Sequence, residues 1–199
     1  MSKLTLVPHH VKYAEQMSAL SSNPQVRDAL GLSEKMTSLN GTLNFITFIT
    51  EEEEKKRQYS RVMLDENKDP IGVITLKDVD WNKRTCHMGT WIGYPFWGRG
   101  YNALAKKEIL AIAFFKLDLK IVFAGAKKTN TRSLKAQEKL PYISLDKGKE
   151  FPNDLEQIEA SSKKTLVFDS VKFPLKKFKL PQEKNSAFPK KSSFFVSLR

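Results

Sequence analysis

The hydrophobic period changes twice along the chain, and those changes limit the folds it can take. Up to residue 57, apolar residues recur at helical spacing. Residues 59–94 break into short apolar runs separated by turn residues, and helical spacing returns from residue 101. The early helices are predicted over 9–22, with Val11, Ala14, Met17 and Leu20 on one face, over 23–31, and over 38–57. The last carries Leu39, Leu43, Ile46 and Ile49 and finishes in "EEEEKKR", which reads as a solvated end. Three strands are predicted at 60–65, 71–80 and 85–93, joined by "ENKDP" and "WNK" as an antiparallel meander.

A strand is expected at 3–7, and a fully apolar one at 119–126, as in a buried sheet centre. A further strand is expected at 164–173, and a short helix at 130–140 stopped by Pro141. The predicted class is α/β (α+β type): one domain over 1–173 with a mixed, mainly antiparallel sheet flanked by helices. Residues 174–199 carry +6 of the +12 net charge and read as a basic, flexible tail. A chain of 199 residues suits one sizeable core.

A single cysteine, Cys86, excludes an internal disulfide framework. No apolar run approaches the roughly 20 residues of a membrane span, and no charged-then-apolar leader opens the sequence. The expectation is a cytoplasmic protein without membrane contact, monomer or homodimer. One cysteine and three histidines show no metal-ligand spacing, so no metal is expected.

Between the third meander strand and the next helix lies "YPFWGRGYNALAKK" (94–107). Glycines at a helix start let an anion approach unpaired N–H groups at the positive end of the helix dipole. The spacing therefore offers a phosphate or pyrophosphate cradle, with Arg99 adding charge; a plain tight turn is the other reading. "GRGYNA" (98–103) formally satisfies the dinucleotide fingerprint, but its context does not. A meander precedes it, and Lys127 and Lys128 stand where an acid would hold a ribose.

The run "MGTWIGYPFWGRGYNALAKK", followed by "NTRSLKAQEKLPY", closely resembles the GNAT acyl-CoA N-acyltransferases. It is most like the branch that includes the ribosomal-protein N-terminal-alanine acetyltransferases. The resemblance covers most of 3–173 and is densest over 84–142. It implies acetyl-CoA as cosubstrate and a primary amine as acceptor, either a protein or peptide N-terminus or a small amino compound. It further implies that N–H groups from Phe96 through Trp97, Gly98, Arg99 and Gly100 to Tyr101 wrap the pyrophosphate. The strand end at Trp91 and Ile92 would splay from 119–125 and pair with the pantetheine arm. Asn130 and Ser133 would contact the coenzyme from the next helix. The amine would attack directly, and the oxyanion would form against a backbone N–H near Trp91 or Ile92.

Where the branch often reads A-E-I-G-Y, this chain reads "CHMGT", so the resemblance puts His87 in the place of a glutamate base. An imidazole can take that proton near neutral pH. Asp78 and Asp80 are back-ups. Gln137 stands where many superfamily members carry an acid tyrosine, and Tyr142 lies nearby in sequence. Cys86 and His87 alternate in direction along a strand, which argues against a nucleophilic pair. The replaced glutamate and vacant tyrosine also allow a rival: a non-catalytic coenzyme-A-binding module whose basic tail holds nucleic acid, the ribosome or an acidic partner.

Overall fold

The computed structural model describes residues 3–127, 143–144 and 163–169. Its seven-stranded sheet has the order β1-β2-β3-β4-β5-β7-β6. The strands are β1 (Thr5–Val7), β2 (Tyr59–Leu64), β3 (Pro70–Asp80), β4 (Thr85–Ile92), β5 (Ile121–Lys127), β6 (Ile143–Ser144) and β7 (Lys163–Asp169). All neighbours run antiparallel except β4 and β5, so the sheet is mixed, as the sequence predicts.

The helices are α1 (Ala14–Ser22), α2 (Pro24–Leu30), α3 (Glu34–Thr37), α4 (Leu39–Glu54) and α5 (Tyr101–Ala111). Local chemistry sets their ends. Asn23 accepts from the Gln25 N–H, Pro24 occupies the first turn of α2, and Gly31 closes that helix at φ 70°. Ser38 accepts from the Gly41 N–H and starts α4. Past Ala111 the predicted helix widens into a π-turn, Ile112–Lys116, where the Leu117 N–H reaches the Ile112 carbonyl at 3.0 Å.

The two sheet faces carry separate cores. Met63, Ile74, Cys86 and Met88 pack with Ala105, Ile109 and Leu110 of α5. Val62, Leu64 and Val73 pack with Met17 of α1, and Phe45 of α4 and Trp91 close on them. Helices α1 and α4 thus cover one face and α5 the other, because strand residues alternate between faces.

Two expectations fail here. Val11 is 60% exposed, because a 3₁₀ turn over Val11–Tyr13 precedes α1 and swings it off the buried stripe. The acidic run is not simply solvated. Glu52 is buried and ion-paired with Arg57, which holds its carboxyl below the ordinary range, and Glu53 bonds the buried Arg61. The expected helix at 130–140 and the expected tail lie outside the described residues.

Gly72 in β3 allows β4 to approach closely. A Cβ there would meet the Trp91 carbonyl oxygen at 2.3 Å and the Ile92 Cα at 2.9 Å. Gly72→Ala should therefore destabilise by about 1–3 kcal/mol, lowering Tm by roughly 2–4 °C per kcal/mol. Gly89→Ala, where a Cβ meets nothing within 4 Å, should leave stability within about 0.5 kcal/mol. Thermal unfolding of the two variants checks the contrast; equal losses would show that β3 and β4 yield at Gly72.

Candidate active site

The parallel pair β4–β5 runs from Thr85↔Ile121 only to Met88↔Ala124. Beyond that point β4 stays paired to β3 as far as Ile92, and β5 stays paired to β7 as far as Lys127. The two central strands therefore part after Met88. Each keeps its outer partner, so the gap has hydrogen-bonded walls.

Strand alternation decides which peptide groups face this gap. The Gly93 N–H donates to the Ile71 carbonyl at 2.8 Å, so Gly93 turns its peptide toward β3, as does Trp91 opposite Val73. The peptide groups of Thr90 and Ile92 then point toward the gap. The Ile92 carbonyl accepts from the Trp97 indole N–H at 2.7 Å, which ties the strand end to the following turn. The Thr90 hydroxyl is buried and has no hydrogen-bond partner among the described residues.

That turn holds Gly98 at φ 82° and Gly100 at φ 84°, a left-handed backbone that glycine adopts without a Cβ clash. Gly100 is the N-cap of α5. Among the described residues no backbone carbonyl accepts from the N–H of Gly98, Arg99 or Gly100. Aromatic rings brace the turn. Phe96 meets Tyr101 edge to face at 6.2 Å, Tyr94 meets Trp97 at 5.1 Å, and the Arg99 guanidinium lies 5.6 Å from the Phe96 ring. Tyr101 is buried, whereas Trp97 and Arg99 are exposed. This turn can receive a pyrophosphate: it has open N–H groups, a helix N-terminus, a guanidinium, and glycines that keep side chains away. The Asn102 amide oxygen, also buried and without a partner among the described residues, stands in the first turn of α5.

His87 lies opposite Lys77 on β3 and Phe123 on β5, one pair before the strands part. It is half-buried, its ring 5.3 Å from the Phe123 ring. It shares a sheet face with Gly89 and Trp91, over which α1 and α4 lie. Cys86 points the other way into the α5 core, and burial pushes its thiol far above the ordinary range. Asp78 and Asp80 lie at the end of β3, beside the turn to Thr85 and away from the gap. Asp78 pairs with Lys77 at 3.6 Å, and Asp80 accepts from the Lys83 N–H at 2.8 Å. Asn130, Ser133, Gln137 and Tyr142 lie outside the described residues. Within those residues no group of three His, Cys, Asp or Glu could hold a metal, and no helix is long and apolar enough to cross a membrane.

One polar row escapes sequence reasoning. His9 Nε2 is 2.8 Å from Ser60 Oγ, and Ser60 Oγ is 2.6 Å from Thr75 Oγ1. Thr75 stands directly opposite Gly89. The sequence signal is weak: two hydroxyl residues in apolar strands, and one histidine of a pair. His10 stays exposed and caps the 3₁₀ turn, while His9 turns inward against Phe45.

Burial, helped by the nearby Arg61 charge, lowers the His9 pKa to about 4. The unfolded chain binds this proton below about 6.5 and the folded chain does not, so stability rises with pH between 4 and 6.5. Over that window the loss on acidification is about 3 kcal/mol. Unfolding free energies at pH 7, 5.5 and 4 should show this slope in the wild type and lack it in His9→Gln; parallel curves would remove His9 as the cause.

The family model described as "Acetyltransferase (GNAT) domain" matches residues 3–142. The chain belongs to the GNAT acetyltransferase family. Membership makes it an acyltransferase. No curated protein matches the sequence. Among solved structures, the fold is similar to spermidine N-acetyltransferase from Vibrio cholerae in complex with CoA and spermine. The TM-score is 0.65 at 14% identity, covering 85% of this chain and 97% of that one. It is also similar to the microcin C7 self-immunity acetyltransferase MccE in complex with acetyl-CoA and AMP (TM-score 0.62, 15% identity, 83% and 91% covered). A third is a Vibrio cholerae protein assigned as a ribosomal-protein-serine acetyltransferase (TM-score 0.58, 17% identity, 69% and 78% covered). At such identities the likeness is one of fold. The parting of β4 from β5 and the glycine turn at the head of α5 are where the GNAT resemblance in the sequence is densest.

Proposed function

We propose that this GNAT protein transfers an acetyl group from acetyl-CoA to a primary amine, either a peptide N-terminus or a small amino compound, in a ternary complex. The observation that carries the reading is the parting of β4 and β5 beside an uncovered Gly89, one residue beyond the last strand pair. Bound acetyl-CoA supplies an acyl group activated as a thioester.

The chain's own groups then divide the work. The N–H groups of Gly98, Arg99 and Gly100 and the first turn of α5 hold the pyrophosphate, with the Arg99 guanidinium adding charge. Phe96, Trp97 and Tyr101 keep that turn rigid. The Thr90 and Ile92 peptide groups line the gap for the pantetheine arm, and Asn130 and Ser133, which lie outside the described residues, would contact the coenzyme. The oxyanion donor is the Ile92 N–H, since the Trp91 N–H is turned toward β3.

The acceptor amine sits over Gly89, between His87 and Trp91. Each neighbour is two residues away along the strand, roughly 7 Å. His87 takes the ammonium proton, directly or through a water. The catalytic unit is 1–173, with 174–199 a basic tail available to a ribosomal or nucleic-acid partner.

Free-thiol release from acetyl-CoA tests this against Ala-, Ser- and Met-starting peptides, free amino acids, polyamines and an aminoglycoside. Turnover confined to one class supports the reading and names the acceptor. Tight coenzyme binding without turnover on any amine would overturn it and favour the non-catalytic binding module.

A further inference from the structure

We infer that the Thr75 hydroxyl, oriented by Ser60 and His9, is a specificity-determining hydrogen-bond donor that selects acceptors carrying an oxygen acceptor beside the amine, as a peptide N-terminus does. The inference rests on the acetyl-transfer reading for the location of the acceptor and deepens it by naming the substrate class.

The row begins at His9, crosses β2 at Ser60, which is fully buried, and ends on β3 at Thr75. Thr75 is half-buried, and the position opposite it is Gly89. Facing Cβ positions across an antiparallel pair lie about 5 Å apart. Among the described residues that place is vacant at Gly89, since a Cβ there would meet nothing within 4 Å. The Thr75 hydroxyl therefore borders the open space where the strands part.

The direction of the row follows from His9. Its Nδ1 is buried and has no hydrogen-bond partner among the described residues. A buried N–H without an acceptor is the rarer and costlier defect, whereas a lone pair without a donor is tolerated more often. The proton is thus assigned to Nε2, which donates to Ser60 Oγ. Ser60 then donates to Thr75 Oγ1, and Thr75 is left to donate outward. Burial and the Arg61 charge keep the imidazole neutral, so it carries one ring proton, and the unpartnered Nδ1 assigns that proton to Nε2.

An outward O–H donor needs an acceptor atom. The first carbonyl of a peptide provides one beside the α-amine. A protonated polyamine offers only N–H donors. The charge agrees with this. The residues sharing this face along the row are Ser60, Val62, Val73, Thr75 and Lys77, then His87, Gly89 and Trp91; none is a carboxylate, and Lys77 is a cation. A polyamine would meet Lys77, and the one carboxylate beside it, Asp78, is already engaged in the ion pair with Lys77.

The test titrates the CoA-loaded protein with trialanine and with spermidine by calorimetry, for wild type, Thr75→Val, Thr75→Ser and Ser60→Ala. Binding is read without turnover. Thr75→Val should weaken trialanine about tenfold, the scale of one buried donor lost, and leave spermidine unchanged. Thr75→Ser should restore trialanine affinity, and Ser60→Ala should give a smaller loss because the donor keeps its place and loses its orientation. A structural defect would weaken both acceptors, and CoA, together. Unchanged trialanine affinity in Thr75→Val, equal losses for both acceptors, or a wild-type complex that binds spermidine only or neither would overturn the inference. Trialanine binding that depends on Thr75 without acetyl transfer would uphold it and reject the catalytic reading.

Discussion

Replacing His87 by alanine is expected to lower kcat at pH 7 by about 10²–10⁴-fold, with coenzyme affinity unchanged. His87 sits one strand pair before β4 and β5 separate and shares a face with the uncovered Gly89. His87 lies near the start of β4, and the glycine turn follows the end of that strand, so the loss should fall on the proton-transfer step and not on coenzyme binding. An acceptor ammonium must shed a proton before its lone pair can attack. Without a base in the site, only the fraction of acceptor already free in solution can react. The variant's rate should therefore climb with pH toward the acceptor's own pKa, while the wild type levels off earlier. His87→Gln preserves bulk against Phe123 and should be as slow as the alanine variant, separating packing from proton transfer. A rate within threefold of wild type for both variants would place the base elsewhere.

Glu53→Ala should cost about 3–5 kcal/mol of stability, or roughly 2–4 °C of Tm per kcal/mol. Arg61 is 1% exposed, one of the least accessible side chains in the described fold. Its guanidinium donates to the two Glu53 oxygens at 3.0 and 2.8 Å and lies 3.7 Å from the centre of the Tyr59 ring. The β1–β2 pairing covers only Val62 to Leu64, so Tyr59–Arg61 lies on a stretch of β2 that β1 leaves uncovered. The C-terminal turn of α4 reaches that stretch through Glu53. Removing the carboxylate withdraws one countercharge from a buried guanidinium, which keeps its bond to the Ser60 carbonyl and its contact with the Tyr59 ring. Replacing both partners, as Glu53→Leu with Arg61→Met, should recover most of the loss, because the pair's desolvation cost disappears with it. Chemical denaturation of the two single variants and the double variant gives the cycle; a Glu53→Ala loss below 1 kcal/mol would show the pair to be solvated in practice.

The segments that the sequence makes legible are those whose signal is local. Asn23-Pro24 and Gly31 bracket α2 because capping and left-handed closure are decided within a few residues. The meander shows in its period and its turn residues, and β5 in its unbroken apolar run. The glycine turn is legible because a left-handed backbone needs glycine whatever surrounds it. Val11 is misread because helical spacing alone cannot distinguish a 3₁₀ turn from the first turn of an α-helix. The acidic run is misread because Arg61, the partner of Glu53, lies on β2, and the cost of burying that guanidinium is invisible in sequence.

From the sequence alone came the order of elements, the mixed sheet, the phosphate-ready turn and the family. Each is written in spacing and residue type along one stretch of chain. The resemblance implied a splay at the end of β4, but the tertiary structure alone decided that it begins after Met88, that Gly89 lies open among the described residues, and that His9, Ser60 and Thr75 form one row. These depend on strand register, which brings residues 9, 60, 75 and 89 together from four separate segments. Register is set by the sum of packing on both sheet faces, and a shift of one residue would turn Ser60 or Thr75 to the opposite face and break the row.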